Sequence, residues 1–433
     1  MTGAPDEVTI IRGTEIRGHL RFWWRACYGG RYATVKKMKE DEDRIWGAAA
    51  KKDEKLKGKI EGQEDEDNGP KEMTVQIMVA VLNKGTAVEP FPILTPKEYK
   101  NKKGKETRNN WESPYDQNSG VPEYAAFSLQ LTSDEKLPEK RPASKMVYEN
   151  IQFRLTLSFS KEIHQNKNIQ KDIEGTLWAW ETFGGIGARI RRGFGAVQLT
   201  KINEKDNTDL PTGNNVIQWL QDHITELWAR SEPPVKGKAP ENVPCLSPDT
   251  CLSRDIKMQF IGPFDTTTKA WTRAIERLVK YRQHDNGRPQ KYGYSNWPES
   301  ETIRILTHKK DADASSLPQK FPRAAFGLPI IFNFIGYPDL QKRPLQGASK
   351  NHERLASPLI LRPLMCKKDK DKNDVVVGLA IVLENFSFPP EGIVFIEKNG
   401  TLHPVNPYID DDEVDRIKPI READVLNDFM KYF

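Results

Sequence analysis

Over residues 15–28 the apolar side chains Ile16, Leu20, Trp23, Trp24 and Cys27 recur at helical spacing, the pattern of an amphipathic helix laid on a core. Residues 73–82 and 151–159 are rich in β-formers, and the second stretch alternates apolar and polar positions as a half-buried strand does. A further helical pattern near 168–183 places Ile169, Ile173, Leu177 and Trp180 on one side; a glycine-rich segment and a predicted strand at 194–199 follow. Helix, strand, strand, helix, strand is the order of a ferredoxin-like βαββαβ unit lacking its first strand. The rest of the chain repeats these ingredients less regularly, with helices near 216–229 and 270–283, strands near 256–261, 328–334 and 375–383, and a hairpin tip at 367–374. The expected fold is therefore α+β, with two tandem ferredoxin-like domains. No short repeat period is visible, which argues against a solenoid or propeller.

The chain turns polar between residues 200 and 218, around Pro211 and Gly213, which suggests halves of 1–210 and 211–433. Residues 51–71 and 98–120 are charged, glycine-rich or asparagine-rich and read as solvated insertions, and 231–248 is rich in Pro and Lys. At 433 residues and 37% hydrophobic content the chain has ample material for buried cores. Its longest apolar run, 324–335, is broken by Gly327 and Pro329, so no membrane span is expected. The N-terminus lacks the pattern of a secretory signal, and four cysteines without a CxxC pair suit a reducing cytoplasm.

The net charge is only +5, so local clustering must indicate the partner. Arg17, Arg21 and Arg25 stand four apart and stack along one stripe of the first predicted helix, with Arg12 just ahead and aromatics inside RFWWR. No acidic residue lies three or four positions from Arg21 or Arg25. The stripe is either a solvated helix face or a phosphate-binding ridge. The second constellation is GGIGARIRRGFG at 184–195, where Gly184, Gly185, Gly187, Gly193 and Gly195 flank Arg189, Arg191 and Arg192. Gly184 could simply end a helix. Glycines interleaved with arginines also let a nucleic-acid backbone approach an anion-binding nest. The tail RGFGAVQL approximates an RNA-recognition signature with Phe194 as a stacking ring, but Ala196 and Leu199 replace its other aromatics. Basic clusters interleaved with aromatics at 269–291, and a further basic stretch at 342–362, add to the impression of an RNA-binding surface.

Signals for catalysis are sparse. The seven histidines are scattered without a metal-ligand spacing, and neither a phosphate-binding P-loop nor a nucleophile elbow occurs. No metal and no cofactor is implied. His19, beside the arginine stripe, and Asp6 are the candidates that a ribonuclease would need.

The motifs IRGTEIRGHLRFWWRACYG, RIWG, GGIGARIRRGFG, RAAFGLPIIF and RLASPLILRP, in this order across both halves, resemble the RAMP superfamily, and within it the family of subunit one of the type III-B CRISPR effector, the Cmr complex. The resemblance implies two ferredoxin-like RAMP domains and a non-catalytic subunit that contacts CRISPR RNA near its 3′ end and supports target-RNA capture beside other Cmr subunits, in antiviral defence. Carried onto this sequence, it points to Arg17, Arg21, Trp24 and Arg25 on the helix and to the five glycines and three arginines of 184–195, with Arg354, Ser357 and Pro358 in the second half. A processing endoribonuclease of the same superfamily is the alternative. The family opens with a strand that would precede Thr2, and the expectation is that such a strand is encoded upstream.

Overall fold

The computed structural model describes residues 11–48, 75–88, 90, 121–130, 146–228, 240, 242–246, 256–283, 297–309, 318–334, 337–367, 374–417 and 420–433. The two insertions at 51–71 and 98–120, Asp6 and the expected opening strand lie outside these residues.

Helix α1 (Gly13–Tyr28) buries Ile16, Leu20, Trp23, Trp24 and Cys27, the face its spacing predicts. α2 (Val35–Trp46) starts at Thr34, whose side chain accepts a hydrogen bond from the Lys37 amide. β1 (Val75–Asn83) pairs antiparallel with β4 (Gln152–Phe159) in the register Val75↔Phe159, and between them the short β2 (Thr86–Val88) and β3 (Val147–Glu149) form a second ladder. A single turn, α3 (Lys161–Gln165), leads into α4 (Lys167–Phe183), which is capped by the Asn166 side chain. α1 packs along α4.

The expected strand at 194–199 does not form. Gly193 and Gly195 sit at positive φ, and the backbone groups that follow are bonded to side chains instead of a ladder: the Val197 carbonyl accepts from Arg362 and the Leu199 amide donates to Glu181. The chain continues through a small hairpin, β5 (Lys201–Ile202) and β6 (Lys205–Asp206), to α5 (Val216–Trp228).

In the second half, β7 (Met258–Phe264), β10 (Leu359–Cys366) and β11 (Val375–Val382) form an antiparallel sheet in the order β10-β11-β7. The register Cys366↔Val375 places the expected hairpin between β10 and β11. Helix α6 (Thr267–Gln283) packs across all three strands. After α7 (Glu299–Leu306), strands β8 (Ile330–Phe332), β9 (Arg343–Gly347), β12 (Ile393–Ile396) and β13 (Leu402–Val405) make a four-stranded sheet, and α8 (Val425–Tyr432) ends the chain. The molecule is thus a mixed α+β structure. None of its described helices is long and apolar enough to cross a membrane.

The β10-β11-β7 sheet explains why VVVGLAIV reads as an unbroken apolar run and LILRPLMC as one interrupted only by Arg362, since a sheet covered on both faces has no polar side. Ile360, Leu364, Val377, Leu379 and Ile381 join a core with Trp23, Trp24, Ile173 and Phe183 of the first half. Leu361, Ala380 and Val382 point the other way, into a core with α6 and α8. Apolar packing therefore runs without a break across residue 210.

Candidate nucleic-acid interface

The arginine stripe of α1 divides in two. Arg21 donates to Glu42 (2.7 Å) and to Asp43 (2.7 Å) as well as to the Gly47 carbonyl, and Arg25 donates to the same Glu42 carboxylate. Glu42 is 1% exposed. No acidic residue stands three or four positions away on α1 itself, and these partners come instead from α2, about twenty positions away, a separation that helical spacing does not reveal. Burial works against the Asp43 charge, yet Lys39 and Arg21 hold its carboxyl below the ordinary range. Trp24 is interior, packed near Tyr28 and Tyr32. The RFWWR and RIWG segments thus fasten α1 to α2. Arg12 remains exposed at the start of α1, with Arg17 part-exposed one turn on.

Beside that end of α1 stands the 184–195 loop. It closes on itself where the Ile186 amide donates to the Gly195 carbonyl (2.9 Å), and it docks on α1 where the Gly187 amide donates to Glu15 (2.8 Å) and the Arg191 guanidinium lies over the Phe22 ring (5.3 Å). Gly195 has φ +61°, and a Cβ there would stand 1.7 Å from the Ile186 carbonyl oxygen, so this position admits no side chain without moving backbone. Gly187, at φ +85°, faces open space instead, and so does Gly18 on α1. Gly184, Gly185 and Gly193 are buried. Phe194 meets Trp271 edge-on, with ring centroids 4.9 Å apart, and is packed into the second core.

Two arginines cross between this loop and the second half. Arg192 reaches from the loop to the Leu359 and Phe326 carbonyls and to Ser357 Oγ (3.2 Å each). Arg362 reaches back from β10 to the carbonyls of Glu181, Gly184 and Val197. Arg191 donates to the Ser357 carbonyl, Arg189 to that of Ala125, and Trp271 donates to the Arg192 carbonyl. The late motifs containing Phe326, Ser357 and Leu359 are thus the socket for the glycine loop. Arg354 stands exposed and Pro358 is buried.

The electrostatics differ sharply from those of the α1–α2 contact. Burial pushes Arg191, Arg192 and Arg362 each down to about 10, and at Arg192 the nearby charges of Arg282, Arg191 and Arg189 add to the depression. All remain cations at neutral pH. Among the described residues Arg191, Arg192 and Arg282 bond to carbonyl or hydroxyl oxygens and to no carboxylate. The Glu15 carboxylate docks on the Gly187 amide, but no carboxylate among the described residues is bonded to these three guanidiniums, and a phosphate would be drawn to the positive charge they carry. Arg282 is partnered by Tyr124 (2.6 Å). Arg362, which sequence reasoning placed in a motif without a role, is found only by its depth in the structure.

His19 is part-buried beside Glu15, whose carboxylate stands 3.8 Å from its Nε2. Burial holds it below the ordinary histidine range against the pull of Glu15. Its Nε2 is buried without a hydrogen-bond partner within 3.5 Å among the described residues. No group of three or more metal-ligating side chains occurs among the described residues.

A search of curated proteins gives no match. Among solved structures, that of apo Cmr1 from Pyrococcus furiosus is similar with 18% identity and a TM-score of 0.41, over 88% of this chain and 82% of that one. A type III-B Cmr-beta structure bound to cognate target RNA and AMPPnP in the presence of ssDNA is similar with 12% identity and a TM-score of 0.42, over 88% of this chain and 90% of that one. Likenesses at this level fix no activity, and the assignment rests on the sequence: residues 1–198, which include both α1 and the glycine loop, match the RAMP superfamily. The likeness to the RAMP superfamily is thus carried by this first part of the chain.

Proposed function

We propose that the chain is a cytoplasmic, RNA-binding subunit of a type III-B CRISPR (Cmr) ribonucleoprotein, built as two ferredoxin-like RAMP halves over 1–210 and 211–433. In this reading it contacts CRISPR RNA near its 3′ end, supports target-RNA capture alongside other Cmr subunits, and does not itself cut RNA. The observation that carries the reading is the pair of part-buried loop arginines, Arg191 and Arg192, bonded to carbonyl and hydroxyl oxygens and to no carboxylate among the described residues, set against the carboxylate-neutralised Arg21 and Arg25 farther along α1. The Cmr assignment in particular is supported by the paired motifs at 17–25 and 184–195. Within those motifs the labour divides. Arg12, Arg17 and Arg189, with the open positions Gly18 and Gly187, form the flank offered to phosphates, while Arg191, Arg192, Trp24 and the buried glycines build the support.

Phosphate contacts release counterions, so affinity for single-stranded RNA should fall steeply with salt, by about 0.7 log units per log unit of salt for each phosphate neutralised. Changing Arg12, Arg17 and Arg189 together to Gln should weaken binding and flatten that slope by roughly two, if each meets one phosphate. A folded triple variant with the wild-type slope and affinity contradicts the assignment of this flank.

Pure protein at stoichiometric concentration should leave labelled guide and target RNAs intact, with or without divalent metal. Cleavage that vanishes on His19→Ala would establish the endoribonuclease alternative instead.

A further inference from the structure

On the far side of α6 lies a second basic site. At about 100° per residue, Arg273, Arg277 and Lys280 fall roughly half a turn around the helix from Trp271, which faces the glycine loop. They line an open groove of about 690 Å3 between α6, the C-terminal end of β7 and Tyr432 of α8. That volume is in the range of pockets that hold small ligands or single nucleotide units. The cations span about 10 Å along the helix axis, longer than one phosphate needs. Lys280 is exposed and has no hydrogen bond or ion pair among the described residues. Arg277 has no carboxylate partner there: it makes a long contact to the Tyr432 carbonyl (3.5 Å) and lies over the Tyr432 ring (5.4 Å). Arg273 is held by Glu276 (2.8 Å), the one carboxylate in the groove lining, so the lining stays net positive.

We infer that this groove is a second contact site for single-stranded RNA, with Arg277 and Lys280 on consecutive phosphates and the Tyr432 ring against a base. A cationic track beside an aromatic face is the physical requirement for holding a strand without reading its sequence. The choice of RNA as occupant rests on the function proposed above, whereas the site itself rests on the groove. Because α6 separates it from the glycine loop, the two sites hold different stretches of RNA.

The test uses the full chain and a labelled oligouridylate. Arg277→Glu combined with Lys280→Glu should weaken binding at least tenfold and flatten the salt slope by about 1.4, two phosphates at about 0.7 each. Both side chains are exposed and Arg277 touches only Tyr432 at long range, so the melting temperature should change little, and Arg277→Gln with Lys280→Gln should give the same direction with a smaller effect on binding. Photocrosslinking with thiouridine-substituted RNA should mark the peptide containing Tyr432. Wild-type affinity and slope in the folded Glu variant overturn the site even if the Arg12, Arg17 and Arg189 variant loses binding, in which case the proposed function stands alone. Loss in the groove variant with none in the flank variant supports the groove and removes the flank. Polyglutamate that competes as well as RNA, with no crosslink at Tyr432, identifies an acidic-peptide site and overturns the RNA assignment.

Discussion

Arg362→Ala is expected to lower the unfolding free energy by about 3–5 kcal/mol, from the loss of three hydrogen bonds made by one charged donor. The guanidinium is 2% exposed with its residue and donates to three carbonyls spread over 16 positions of the first half, Glu181, Gly184 and Val197. Without it those acceptors, one buried and two part-buried, lose a charged donor, at roughly 1–3 kcal/mol where water does not replace it. Lysine should not rescue the variant, because one ammonium on a flexible stem does not reproduce a planar fork aimed at diverging oxygens. Urea unfolding of the Ala and Lys variants measures this directly. A loss below about 1 kcal/mol for Arg362→Ala, under the cost of even one lost buried hydrogen bond to a charged group, would mean that the crossed arginines do not join the halves.

Gly195→Ala should cost about 2–4 kcal/mol, combining a positive-φ alanine with loss of the backbone bond that closes the loop. Its Cβ would meet the Ile186 carbonyl oxygen at 1.7 Å, so the Ile186–Gly195 closure cannot persist. Gly187→Ala should cost only about 1 kcal/mol, the price of its φ alone, since nothing lies within 4 Å of that Cβ. The RNA readouts should reverse this ranking: Gly187→Ala crowds the surface offered to phosphate while leaving the fold intact. Equal losses of stability at the two positions would contradict the distinction between a packing glycine and an approach glycine.

Local pattern carried much of the fold. The face of α1 follows from spacings of three to four, the strand near 151–159 from a spacing of two and that near 73–82 from its β-forming residues. The strand expected at 194–199 failed because side chains from distant segments, Arg362 and Glu181, take up its backbone groups, and no local pattern announces that. The same limitation applies to the candidate site. The arginines of α1 and of the loop are equally conspicuous in the sequence, yet α2 neutralises Arg21 and Arg25, while Arg191 and Arg192 are spent on carbonyls of the second half. What distinguishes a neutralised arginine from one that leaves positive charge behind is a partner many positions away. Arg277 and Lys280 were visible as part of a basic, aromatic stretch, but their alignment along one groove needed the packing of α6 against β7 and α8.

The central claim is that the flank formed by α1 and the glycine loop holds CRISPR RNA. Its most direct test is to purify the protein from its native source under ultraviolet crosslinking, then sequence the attached RNA and map the modified peptides. The account predicts guide RNAs derived from a CRISPR array, crosslinked close to their 3′ ends to peptides from the start of α1 or from residues 184–195. Recovery of bulk cellular RNA without guide enrichment, or of guides attached only elsewhere on the chain, would contradict it.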